Sequence, residues 1–262
     1  MASTIVDQVR AVATLVLPLG LRQWLRAQQR RFGLHRTPVG AVAYGDLGRL
    51  TPISPVFGLD RGVPTIDRYY IEGFLASHAD DIGGRVLEMG NGAYTSRFGG
   101  DRVTRSDVLH YVVGNPEATI VADLTRADHI PSDSFDCIIL TQTLQMIFDV
   151  RAALHHLHRI LKPGGVLLAT SHGITRIARR EGIDPWGEYW HFTAQSTRHL
   201  FGALFPADHF QIVTYGNVLA AAASLYGLAA ADLTTQELDH CDPNFEVIVA
   251  VRAQKPCSGA DS

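Results

Sequence analysis

The chain has 262 residues, 46% of them hydrophobic, enough for one well-buried domain with an elaboration or for two small domains. Its 23 Lys and Arg against 26 Asp and Glu leave a net charge of −3, which speaks against general nucleic-acid affinity through a basic surface. Cys137, Cys241 and Cys257 lack metal spacing, and so sparse a set of thiols fits a reducing, cytoplasmic compartment.

The apolar run Ala11–Leu21 is short for a membrane span and is broken by proline and glycine. Asp7 ahead of it and RQWLRAQQRR behind it are the wrong flanks for a signal peptide. Thr4–Arg31 therefore reads as one or two amphipathic helices without stable membrane insertion, docked on the main domain or pairing two copies as a homodimer. Leu34–Thr65 is rich in Gly and Pro yet keeps many apolar residues, so residues 1–65 are expected to form a helical and irregular cap.

From Ile66 the pattern turns regular. Helical spacing in IDRYYIEGFLASHADDI stops at Gly83-Gly84, and strands follow at RVLEMG, RVTRSDV, ATIVAD and FDCIIL. The helix DVRAALHHLHRIL ends at KPGG and leads into the strand VLLATS; later come FQIVTYG, the helix NVLAAAASLYGLA, and FEVIVAVRA. Near-continuous Val, Ile and Leu runs alternating with helices predict an α/β fold: a doubly wound, seven-stranded, mostly parallel, Rossmann-like sheet over residues 66–255. An insertion at about 172–200 is placed to act as a substrate lid, and residues 256–262 read as a disordered tail.

A glycine turn directly after the first strand, at Gly90, Asn91 and Gly92, lets backbone approach a ligand where a side chain would collide. Asp107, at the end of the second predicted strand, suits the two hydroxyls of a ribose. The pair indicates a nucleoside-containing cofactor. A dinucleotide would call for a third glycine and a longer helix; AYTSRFGGD leaves room for about one turn at about 3.6 residues each.

VLEMGNG resembles the first motif of class I S-adenosylmethionine (SAM)-dependent methyltransferases, of the small-molecule, type 11-like branch. Asp107, VADL, FDCIILTQTLQMIFD and LHRILKPGGVLLAT are similar to that family's later motifs, in order. The resemblance implies that Glu88 organises the first loop, Gly90 and Gly92 pass under the methionine portion, and Asp107 holds the ribose with Val108 on the adenine. It further implies that Asp123 accepts from the adenine amino group, that Leu124 adds a backbone donor, and that Thr141 and Gln142 line the sulfonium end. Tyr94 stands where a third glycine is common, and the loop to the second strand is about four residues shorter than usual in the family; Tyr94 then lies along the cofactor or packs between helix and sheet. Arg61 or Arg68 is expected to pair with the cofactor carboxylate, and Tyr69 or Tyr70 to reach the same group.

Methyl transfer from a sulfonium is an in-line displacement, and a hydroxyl acceptor must also lose a proton. His172 and His191 are the candidate bases, with Tyr189 beside them; Trp186, Trp190 and Gln145 are candidate substrate contacts, the aromatics otherwise anchoring the insertion. His155 and His158 form an incomplete metal shell and read as solvent-facing, so no metal is expected. The implied function is a SAM-dependent methyltransferase acting on a small molecule, natural product or sugar-type, and releasing S-adenosylhomocysteine. The competing reading is a protein that uses bound SAM non-catalytically, as a regulatory binder or to shape a pocket for another reaction such as a cyclisation.

Overall fold

A computed structural model of the protein describes Pro18, Gly20, Leu21, Trp24 and residues 42–178 and 187–257. The chain divides into two compact units, Met1–Leu50 and Thr51–Ser262. In the first, Gly45–Leu47 forms a single 3-10 turn. The expected N-terminal amphipathic helices, and a dimer built through them, fall almost wholly outside the described residues, as do Trp186 and residues 258–262.

The second unit is built on seven strands: β1 (Gly84–Met89), β2 (Val103–His110), β3 (Ile120–Val121), β4 (Phe135–Thr141), β5 (Leu161–His172), β6 (Phe210–Tyr215) and β7 (Ile248–Gln254). They lie in the order β3-β2-β1-β4-β5-β7-β6. Strands β1 to β5 run parallel, and β7 is antiparallel to both β5 and β6. This is the expected mostly parallel Rossmann-like α/β sheet. Helices α1 (Ile66–Ser77), α2 (Val150–Ile160), α3 (Ala194–Phe201), α4 (Val218–Tyr226) and α5 (Thr235–Asp239) accompany it.

Period-two alternation makes the near-continuous apolar strands serve both faces at once. Leu87, Ile138, Leu140 and Leu167 face one core, shared with Leu154 and Leu157 of α2 and Phe201 of α3. Val86, Cys137, Ile139 and Leu168 face the other, shared with Ile71, Phe74 and Leu75 of α1. No helix among the described residues is long and apolar enough to cross a membrane.

Three elements differ from the sequence pattern. The strand expected over ATIVAD shrinks to Ile120–Val121, because the Asp123 side chain caps the turn at Leu124–Arg126 and stops the pairing. The helix that the resemblance of FDCIILTQTLQMIFD to the fourth motif implies after β4 is one 3-10 turn, Leu144–Met146. Helix α2 is not a polar histidine face: His155 is exposed, but His158 packs edge-on against Phe205 with ring centroids 4.9 Å apart. Sequence order diverges between β1 and β4, one chain path leading out to β2 and the other to β5, and this opens a crevice at the strands' carboxyl ends.

Candidate active site

The site begins where β1 ends. Gly90 turns the chain with φ +86°, and a Cβ built there would meet nothing within 4 Å. Its amide is held by the Leu109 carbonyl at 3.0 Å and its carbonyl by the Asn115 side-chain amide at 2.6 Å, so the bend is fixed from both sides. Glu88, 2% exposed, ties the following residues back onto the strand. Its carboxylate accepts from the Thr95 amide and hydroxyl, both at 2.7 Å, and from the Tyr94 amide at 3.1 Å. Burial nevertheless pushes the Glu88 carboxyl above its ordinary pKa, outweighing those donors.

Gly90 and Asn91 open on a cavity of about 720 Å³, within the roughly 300–1,000 Å³ usual for small-ligand sites. Glu88, Tyr94, Asp123, Leu124, Thr141 and Gln142 also line it. The Asp123 carboxylate is oriented by the Thr125 amide at 2.9 Å and hydroxyl at 2.8 Å. Gln142 sits in the left-handed region at φ +48°, an uncommon conformation for a non-glycine residue and one that concentrates at functional sites. Tyr94 lines this cavity and packs near the core of α1, and its hydroxyl accepts from Arg68 at 2.8 Å.

A second cavity of about 220 Å³ adjoins the first, with Arg68, Gln142 and Met146 lining both. Its wall includes Gln145, His172, Arg176 and Glu188. Gln145 is 3% exposed; its amide donates to the Gln142 side chain at 3.0 Å, while its own Oε1 is buried without a partner among the described residues. Arg176 lies over the Phe57 ring at 3.8 Å and donates to the Pro55 carbonyl.

Beside this cavity His172 and His191 meet across one carboxylate. Glu188 Oε1 is 2.7 Å from His172 Nε2 and 3.2 Å from His191 Nε2. The Glu188 side chain is 4% exposed and its other oxygen accepts the Ala178 amide at 2.7 Å. Burial holds the His172 imidazole below its ordinary pKa despite the nearby carboxylate.

Several of the residues expected at the site stand away from both cavities. Asp107 does not line either cavity: β2 runs three residues past it, and in the β1–β2 register Asp107 lies opposite Leu87, two residues before the end of β1. Its carboxylate, 1% exposed, is occupied by Arg85 at 2.7 Å and by Arg105 and Thr119 at 3.1 Å. Gly92 and Val108 also stand outside the cavities, and a Cβ built on Gly92 would lie 3.6 Å from Val108 Cγ2. At the end of β2 it is His110 and Tyr111 that line the larger cavity.

Arg61 is paired through two nitrogens with Asp232, and the Tyr69 hydroxyl donates to Asp239 at 2.7 Å, so neither reaches a cavity. Of the two arginines considered, Arg68 is the one at the junction. Tyr189 lines the larger cavity, away from the role of partner to the histidines, with its ring edge-on to Phe148 at 5.4 Å. Trp190 acts as an anchor: its indole donates to the carbonyls of Ile147 and Phe148 at 3.0 and 3.2 Å and stacks on Phe148, outside both cavities. Glu188 was missed by sequence reasoning; the readable signal was its i, i+3 spacing to His191 within WGEYWHFT.

Residues 87–169 match the family model of the methyltransferase domain. No curated protein matches the chain. Among solved structures, a SAM-dependent methyltransferase from Archaeoglobus fulgidus is 12% identical over 72% of this chain and 94% of that one, at a TM-score of 0.48. The 1,6-didemethyltoxoflavin-N1-methyltransferase of Burkholderia thailandensis, solved with its substrate and S-adenosylhomocysteine, is 16% identical over 72% and 78%, at 0.47. The cyclase SpnF is 18% identical over 74% and 82%, at 0.48. Likenesses this distant do not speak to chemistry. Residues 87–169, carried on β1 to β5 of the seven-stranded Rossmann-like sheet, thus bear the signature of the methyltransferase domain family.

Proposed function

We propose that the protein transfers a methyl group from SAM, held in the larger cavity, to a small polar acceptor, natural product or sugar-type, held in the smaller one. The observation that carries this reading is the pair of adjoining cavities that share Arg68, Gln142 and Met146, with the bare Gly90 bend opening on the larger. Bound SAM supplies an electrophilic methyl group on a sulfonium.

In this reading Gly90 and Asn91 lie under the methionine portion, and Arg68 pairs with its carboxylate. Asp123 and Leu124 meet the adenine, and the end of β2 at His110 and Tyr111 takes over the ribose contact expected of Asp107. Thr141 and Gln142 stand at the junction, where methyl donor and acceptor must align. The acceptor is small because the second cavity holds about 220 Å³, and polar because Gln145, His172, Arg176 and Glu188 line it. The net charge of −3 disfavours a nucleic-acid acceptor. Activation of the acceptor falls to the His172–Glu188–His191 group.

Calorimetric titration of SAM, followed by mass-spectrometric detection of S-adenosylhomocysteine with a panel of small hydroxyl and amine acceptors, tests the proposal. Binding and product are expected; SAM binding with no transfer to any acceptor, alongside conversion of a substrate by another reaction, would favour the non-methylating alternative.

A further inference from the structure

His172 Nε2 and Glu188 Oε1 lie 2.7 Å apart as an ion pair, and no hydrogen bond to any further described residue holds either atom. With no other described group fixing them, the imidazole nitrogen and the carboxylate oxygen are available to turn onto a shared cation, since both atoms are of the type that ligates metal. His191 Nε2 joins them, and all three ligand-type atoms fall within 4.8 Å of one another. We propose that His172, Glu188 and His191 form a mononuclear site for a divalent transition-metal ion of the Zn²⁺ type, open toward the smaller cavity.

The donor set fits. Two neutral imidazoles and one carboxylate are a recurring catalytic shell for such ions, with one or more positions left for water or substrate. At bond lengths of about 2.0–2.2 Å, tetrahedral ligand atoms stand about 3.3–3.5 Å apart. The separations here, 2.7 and 3.2 Å from the shared oxygen, need side-chain adjustments of under about 1 Å to receive an ion. Support behind the ligands is already in place, as functional metal sites require. The Ala178 amide holds Glu188 Oε2 at 2.7 Å and leaves Oε1 for the histidines. The Phe192 amide binds the His172 carbonyl at 3.0 Å, locking the two histidine segments together, and the Tyr189 amide binds the Gln145 carbonyl at 2.8 Å.

Metal binding itself does not depend on the methyl-transfer reading; the use that follows does. An acceptor hydroxyl bound to the open position ionises more readily, as metal-bound water does. Its proton leaves to solvent water. The alkoxide lone pair then forms the O–C bond to the methyl group while the C–S bond breaks and its electron pair returns to sulfur, releasing S-adenosylhomocysteine.

The test is metal titration of the full chain after chelator treatment and dialysis, with Zn²⁺ by calorimetry and Co²⁺ by visible absorption. One equivalent of each is expected, with a Co²⁺ spectrum of nitrogen and oxygen ligation and without thiolate charge-transfer bands. Glu188→Gln and the double variant His172→Ala/His191→Ala should weaken Zn²⁺ binding at least 100-fold, while His155→Ala/His158→Ala and Cys241→Ser/Cys257→Ser keep it. No binding by the wild-type chain, equal binding by Glu188→Gln, or a thiolate spectrum overturns the proposal. Should the site variants fail to fold, the wild-type Co²⁺ spectrum decides alone. S-adenosylhomocysteine affinity is measured on the same samples: cofactor binding without metal sinks this inference and spares the methyl-transfer reading, and metal without cofactor does the reverse.

Discussion

Arg68 donates to the Tyr94 hydroxyl at 2.8 Å, so that α1 reaches the loop after β1 at the junction of the two cavities. Hydrogen bonds to charged groups contribute about 1.5–3 kcal/mol, and about 1.4 kcal/mol is tenfold in affinity. Arg68→Met should therefore weaken SAM and S-adenosylhomocysteine binding by about 10- to 100-fold in calorimetry. Tyr94→Phe, which keeps the arginine but loses its orienting partner, should cost about 3- to 10-fold. Unchanged affinity in Arg68→Met would remove the arginine from the cofactor site.

The two glycines of the first loop should separate on mutation. Gly90→Ala places a methyl group in the left-handed region, at about 1–2 kcal/mol, and in the open space of the cavity. We expect a fall of a few degrees in Tm and a loss of at least 100-fold in S-adenosylhomocysteine affinity. Gly92→Ala meets Ser106 Oγ at 3.5 Å and Val108 Cγ2 at 3.6 Å, ordinary contact distances, and should leave both quantities nearly unchanged. Thermal unfolding and calorimetry on the pair check this.

Asp107 is expected to matter for stability and not for the cofactor. Burial pushes its carboxyl up, but the hydrogen bonds from Arg85, Arg105 and Thr119 prevail and hold it below the usual carboxylate range. A depressed folded pKa means stability that is present above the unfolded value near 3.9 and is lost as pH falls through the folded value. Asp107→Asn should lower stability by about 1–3 kcal/mol at pH 7, with the gap to wild type closing below about pH 4, while S-adenosylhomocysteine affinity changes less than about threefold. Denaturant midpoints at several pH values, beside one binding isotherm, test both halves.

How much of this was readable in the sequence depends on the range of the interaction concerned. Strands β1, β4 and β5 follow from their apolar runs because a sheet covered on both faces needs no other signal, and the bend at Gly90 follows from its residue type. The burial of Asp107 did not follow, because the reach of β2 is set by pairing: Leu109 and His110 pair with Ile120 and Val121, carrying the strand beyond Asp107. Arg61 and Tyr69 look free in local sequence, yet each meets an aspartate about 170 positions away, at Asp232 and Asp239. Glu188 is one acid among many until the chain folds back and brings His172 against it. Trp190 was legible as an anchor of the insertion or a substrate contact, but its carbonyl partners at Ile147 and Phe148 were not, since they lie more than 40 positions away.

The central claim is that the cavity beside Gly90 receives the cofactor and faces a second one for the acceptor. A crystal structure of the protein with S-adenosylhomocysteine tests it most directly. The account predicts the adenine beside Asp123 and Leu124, the ribose near His110, the amino-acid end over Gly90 against Arg68, and the sulfur within about 4 Å of Gln142 and facing the smaller cavity. Nucleoside density elsewhere, or a sulfur turned away from the chamber walled by Gln145 and His172, would contradict it.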